Sequence, residues 1–186
     1  MYPVLFDPAR VRAVVVGHGL GAVRRVKGLE AAGVADIKVF APEADDALAA
    51  LAGARLTRRL PERGDLEGAN LILVAGLEDA LAEGIAETAR ELGVAVNVED
   101  RTQWCDFHLP ATVRRGDLLL TASTGGRSPG LARALRRHLE GLFGPEWEGR
   151  LEALAKAREA WRAEGHGPSE LSRRTEEWID REGWFG

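Results

Sequence analysis

Residues 14–33 read VVVGHGLGAVRRVKGLEAAG: an apolar run, the pattern Gly17-x-Gly19-x-x-Ala22, then a helix-forming stretch closed by Gly33. This spacing predicts a strand, a tight turn and a helix. Glycine permits the turn and lets backbone N–H groups approach an anion, and the positive end of the helix dipole attracts it. A second apolar run, IKVFAP at 37–42, follows as a βαβ unit requires. A dinucleotide is therefore the first ligand to expect.

Working outward, residues 44–53 (ADDALAALAG) have the acidic start and glycine stop of a short helix, and 54–60 (ARLTRRL) alternate as a strand does. LILVA at 71–75 has no polar alternation, which predicts a central strand buried on both faces of a parallel sheet. A helix is expected over 79–93 and another buried strand, VAVNV, over 94–98. Strand and helix alternate throughout, so the expected class is α/β with a doubly wound parallel sheet, a Rossmann domain over 1–110.

After Asp106 the pattern changes. Residues 107–124 offer two strand-like runs around Arg114-Arg115-Gly116-Asp117, an antiparallel pair. Ser128-Pro129 starts a helix, with serine as N-cap and proline at its first position. Its Leu131, Leu135, Leu139 and Leu142 share one face and its arginines the other. Residues 146–186 read as charged helices broken at Gly165-His166-Gly167-Pro168, with tryptophans as anchors.

Composition narrows the class of function. With 186 residues and a net charge of −4, the chain has room for one main domain and an appendage, and nucleic acid is not the expected partner. No segment has about 18 uninterrupted apolar residues, and the N-terminus MYPVLFDPARVRAV lacks a signal-peptide core, so a soluble, uncleaved protein away from membranes is expected. A single cysteine, Cys105, makes the cytoplasm the default compartment. His18, His108, His138 and His166 have no paired spacing with Cys105, so no metal-ligand set is expected.

Several motifs occur in a fixed order: the glycine turn with Arg24-Arg25, Ala41-Pro42-Glu43, Asn97-Val98-Glu99-Asp100, Phe107-x-x-Pro110-Ala111, and Ser123-Thr124-Gly125-Gly126-x-Ser128-Pro129. The series resembles the precorrin-2 dehydrogenase and sirohydrochlorin ferrochelatase family, the N-terminal region of sirohaem synthases, over about residues 2–143. The resemblance implies a Rossmann domain, a dimerisation region with swapped elements (here 111–145) and a small helical domain (146–186). It also implies a homodimer that oxidises precorrin-2 to sirohydrochlorin with NAD, in some members with insertion of ferrous iron at the same site. Fused members carry a methyltransferase downstream, for which this sequence has no room, so methylation is not expected.

On that resemblance Asp100 is the catalytic carboxylate, at the carboxyl edge of a buried strand where ligands of open α/β sheets gather. It is suited to accept a ring proton as hydride leaves. A turn-capping role is the plain alternative. Glu99 is the weaker candidate, because strand alternation turns the two side chains apart. Expected cofactor contacts are Gly17, His18, Gly19, Leu20, Gly21 and Ala22 in the turn, Pro42 and Glu43 after the second strand, Gly76 after LILVA, and Asn97. Thr124, Gly125, Gly126, Arg127 and Ser128 are expected at the substrate's carboxylates, which amides and guanidinium groups bind well.

Two departures from the family pattern affect the nucleotide. His18 stands where a third glycine is common, and Gly76-Leu77-Glu78 with Ala82 replaces polar residues that ordinarily help hold the nicotinamide end. They leave open a chelatase with a weakened nucleotide site, and a tetrapyrrole binder without catalysis. The absence of arginine at Glu43 leans toward NAD over NADP.

Overall fold

The computed structural model describes residues 1–185. The chain forms two compact units, Met1–Leu109 and Pro110–Gly186. In the first, β1 (Arg12–Gly17), β2 (Asp36–Phe40), β3 (Leu56–Thr57), β4 (Leu71–Ala75) and β5 (Ala95–Val98) make one parallel sheet in the order β3-β2-β1-β4-β5. Strand order reverses at β1, whose neighbours are β2 and β4. Helices α1 (Gly19–Ala31), α2 (Asp46–Ala52), α3 (Arg63–Leu66) and α4 (Asp79–Glu91) connect the strands. This is the Rossmann-like α/β fold that strand–helix alternation predicts.

Strand periodicity divides the core into two layers. Val15, Val39 and Leu73 pack with Ala22, Val26 and Leu48 on one face, while Val14, Val16, Ile72 and Val74 pack with Ala82, Ile85 and Ala86 on the other. All five residues of LILVA are buried, as a central parallel strand requires. The 54–60 run forms far less strand than its alternation suggests, because its arginines have other partners. Arg55 donates to the carbonyls of Leu51 and Ala52 at the end of α2, and Arg59 pairs with Asp65. Only Leu56 and Thr57 join the sheet.

The free edge of β5 is closed by its own following loop. The Asp106 N–H donates to the Val96 carbonyl at 2.8 Å and the Asp106 carboxylate accepts from the Val96 N–H at 3.0 Å. Cys105 Sγ accepts from the Val98 N–H at 3.3 Å and donates to the carbonyl of Val98 or Arg101. Covering the edge in this way prevents strand addition there.

In the second unit, β6 (Ala111–Arg115) and β7 (Leu118–Ala122) form an antiparallel hairpin around Gly116-Asp117. Helices α5 (Pro129–Leu142), α6 (Glu146–Ala163) and α7 (Pro168–Arg181) complete a helical C-terminal part. Trp147 is ringed by Phe143, Trp184 and Phe185, with the Arg150 guanidinium 4.9 Å from its ring centre. No helix among the described residues is long and apolar enough to cross a membrane.

Candidate functional site

At the strand-order reversal, the β1–α1 and β4–α4 turns cross closely. The His18 N–H donates to the Ala75 carbonyl at 3.1 Å. Gly17 has φ 122°, and a Cβ there would lie 1.7 Å from the Ala75 carbonyl oxygen; Gly76 has φ 70°, and a Cβ there would lie 2.5 Å from the His18 carbonyl oxygen. Both positions therefore require glycine. Gly76 thus has a backbone reason to stand where polar side chains would otherwise be expected.

His18 caps α1 in extended conformation, but its side chain makes no capping hydrogen bond. The first-turn N–H groups are left without a side-chain acceptor at the positive end of the helix, as an anion site needs. His18 and Gly19 are half-buried and Leu20 is 73% exposed; Ala22 is fully packed beneath them. Space around Gly19 is open, with nothing within 4 Å of a Cβ built there. Pro42 and Glu43 are exposed just past the end of β2. Asn97 is buried at 5% exposure: its amide donates to the Phe107 carbonyl at 2.8 Å, which ties β5 to the loop that follows.

A hollow of about 190 Å³ opens between the ends of β4 and β5, lined by residues that include Gly76, Leu77, Ala82, Glu99, Asp100 and Arg101. Asp100 is exposed there. It has φ 58°, the one non-glycine residue in the left-handed region among the described residues. Aspartate tolerates this conformation better than most residues, but it costs energy and needs surrounding support.

Support comes from both neighbours. Glu99 Oε1 accepts from Arg24 Nη2 of α1 at 3.0 Å, and Arg101 pairs with Asp79 of α4 at 2.8 Å. Arg101 Nη1 also donates to the Asp100 carbonyl, while Cys105 Sγ lies 3.3 Å from the Arg101 carbonyl. Asp100 thus sits on a short strap tied to α1 through Glu99 and to α4 through Arg101.

Sequence pattern does not point to the Arg101–Asp79 pair, to the loop role of Cys105 or to the place that Glu99 takes. Arg101 and Asp79 carried no motif. Cys105 serves the loop as an acceptor and donor, which its isolation in the sequence did not suggest. Glu99 is the most informative: its carboxylate fills the side-chain space of Gly21, where a Cβ would lie 2.1 Å from Glu99 Oε2 and 2.9 Å from the Ala75 Cβ. Gly21 itself is buried, and the glycine inside the first turn of α1 was the available signal. Nearby, the Arg25 guanidinium has a buried Nε without a hydrogen-bond partner among the described residues. Burial lowers its pKa, against the opposing pull of Glu99.

The remaining candidates lie in the second unit. Thr124 Oγ1 accepts from the Ser128 N–H at 3.1 Å and donates to the Ser128 carbonyl at 3.0 Å, closing a loop in which Gly125 and Gly126 both have positive φ. Ser128 Oγ caps α5 by accepting from the Leu131 N–H at 3.3 Å. Arg127 is exposed. The structure therefore gathers Gly17–Ala22, Gly76 and Asp100 at one sheet edge, and Thr124–Ser128 in a separate loop.

Comparison with known proteins agrees with this geometry. Residues 4–111 match a family model described as "Putative NAD(P)-binding". A siroheme synthase of Nitrosococcus oceani is 36% identical over 156 residues, covering 82% of this chain and 33% of that protein. One of Pseudomonas putida is 40% identical over 147 residues, covering 77% and 31%. The chain spans about a third of the length of the curated relatives it matches. A solved structure titled "SirC, precorrin-2 dehydrogenase" shares the fold with a TM-score of 0.78 at 24% identity, over 100% of this chain and 93% of that one. The likeness to sirohaem synthases drawn from the ordered motifs thus extends across most of the chain. With a match that takes in all five strands of the parallel sheet and the turns at their carboxyl ends, the chain belongs to this NAD(P)-binding family.

Proposed function

We propose that the protein oxidises precorrin-2 to sirohydrochlorin with NAD as hydride acceptor, in the cytoplasm and as a homodimer. The observation that carries this is Asp100, held in a left-handed conformation at an open hollow beside the glycine turn. A solvated backbone turn has no need of such support on both sides. The names of the relatives point to the same chemistry.

The residues present fit a dinucleotide. The uncapped first turn of α1 and the open space at Gly19 suit a pyrophosphate, and the exposed Glu43 suits the adenosine ribose of NAD rather than a 2′-phosphate. The bound cofactor supplies a two-electron acceptor at the hollow. Asp100 receives the proton that the macrocycle loses as hydride departs, so two electrons and two hydrogens leave the substrate together. Arg101 and Glu99, through their ion pairs, keep that carboxylate at one place. Thr124–Ser128 and Arg127 hold substrate carboxylates. Residues 111–145 provide the dimer contact, and 146–186 form the small helical domain.

A second reading, ferrous-iron insertion into sirohydrochlorin, is favoured by the apolar Leu77 and Ala82 at the hollow, at positions where polar side chains would help hold the nicotinamide end. The test is direct. Purified protein mixed with precorrin-2 and NAD should show growth of NADH absorbance. Iron uptake without nucleotide, and no NADH, would replace oxidation with chelation; tetrapyrrole binding without either would leave a carrier.

A further inference from the structure

The Glu99 carboxylate lies against the first turn of α1, in the space a side chain at Gly21 would take. That turn is where the proposed cofactor places its two negative charges. We propose that Glu99 is an affinity-setting residue of the nucleotide site: a fixed internal anion that loosens the hold on the dinucleotide, with Arg24 as the partner that limits its effect. The proposal rests on the nucleotide reading above.

Three observations support it. Glu99 is built in, since its side chain is only 23% exposed and its N–H continues the sheet ladder to the Val74 carbonyl at 2.9 Å. Its position depends on glycine at 21, because any larger residue would collide with the carboxylate. Its counter-charges are unequal: Arg24 pairs with it at 3.0 Å but is 69% exposed, and Arg25 is partly buried behind it with an unpartnered Nε. Asp100, a second negative group, follows Glu99 in the chain and lines the same hollow, with Arg101 held away from Glu99 by its pairing with Asp79. An anion entering at the turn therefore meets one poorly solvated carboxylate whose main neutralising partner lies in water, where its charge is screened.

Weak retention suits a dehydrogenase of this kind. The reduced cofactor must leave after each turnover, and a carboxylate beside its phosphates acts on the bound state at all times. The effect reaches oxidised and reduced cofactor alike through the pyrophosphate.

Titration of NADH fluorescence with the full chain tests the proposal. Glu99→Gln keeps the shape and a hydrogen bond to Arg24 while removing the charge, and should bind NADH about 3- to 10-fold more tightly at low salt, the range expected for one partly screened charge near another. Raising NaCl to roughly 0.5 M should reduce the difference to below about twofold, since the Debye length falls to a few ångströms. Arg24→Gln, which unmasks the carboxylate, should bind more weakly than the wild type. ADP-ribose, which lacks nicotinamide, should show the same ordering by competition. Unchanged or weaker binding by Glu99→Gln in a folded protein, or a gain that salt does not diminish, overturns the proposal alone. Absence of NADH binding by the wild type and both variants overturns the nucleotide reading and the proposal with it.

Discussion

Helices α4 and α5 have nearly the same length and comparable amphipathic patterns, yet they are used differently. α4 buries Ala82, Ile85, Ala86 and Ala89 against the sheet. α5 buries none of its residues: Leu131 is 53% exposed, Leu135 40% and Leu142 57%. The difference extends to the two units that contain them. Among the described residues of the second unit, the buried apolar set is Val113, Ala122, Trp147, Leu154 and Leu171. The first unit has a two-layer core that makes it complete. The second packs α5 on its hairpin yet leaves Leu131, Leu135 and Leu142 largely exposed, and in the homodimer proposed above this is the face available to a second copy.

The largest expected effect belongs to chemistry in the complete unit. Asp100→Asn keeps a residue tolerant of the left-handed backbone and removes only the carboxylate, so kcat for precorrin-2 oxidation should fall about 100-fold or more while the melting curve stays in place. Equal loss of activity and of stability would return Asp100 to a turn-capping role. Next is the core beneath it. Ile72 is fully buried on β4, and Ile72→Ala should cost about 3 kcal/mol in urea unfolding. Leu135→Lys on α5 should leave the fold of its own unit intact and convert a dimer to a monomer in sedimentation. A wild-type chain that already sediments as a monomer would remove the contrast between the two helices.

This contrast also marks what the sequence could convey. Strand and helix order, the glycine turn and the doubly buried LILVA follow from periodicity and steric rules, and all appear in the fold. Side-chain partnerships across the chain do not follow from local rules. Alternation put Glu99 and Asp100 on opposite faces, yet β5 ends at Val98, and a left-handed residue and an ion pair with Arg24 decide where both groups point. The separation of 75 positions between Arg24 and Glu99 explains why no spacing signalled the pair. Likewise the arginines in 54–60 resemble the polar half of a strand until their partners on α2 and α3 are known.

The helix starts differ in a way that sharpens the comparison. Glu78 makes no side-chain cap on α4, which is held by packing, whereas Ser128 caps α5. Ser128→Ala should therefore cost about 1 kcal/mol, and Glu78→Ala much less, because only the serine satisfies an otherwise free N–H. Equal costs would mean that α5 is held by contacts other than its cap.

The smallest effect is electrostatic and belongs to the second unit, where surface pairs accompany the thin core. Hydrogen bonds from Arg173 and Arg174 hold the Glu170 carboxyl at about 2, below its usual 4.5. A carboxylate whose folded value is depressed contributes stability that is fully present above 4.5 and is lost as pH falls through the window from 4.5 to about 2. The Glu170 side chain is half-buried at the surface, so solvent and salt screening keep the contribution small. Urea unfolding followed through tryptophan fluorescence should thus separate wild type from Glu170→Gln at pH 6, bring the two together as pH approaches 2, and show less separation in high salt. Four of the five tryptophans lie in this unit, so the signal reports mainly on the helices that Glu170 helps to hold. A separation that persists at the lowest pH would show that Glu170 acts through packing rather than charge, and would make the second unit more like the first than its sparse core implies.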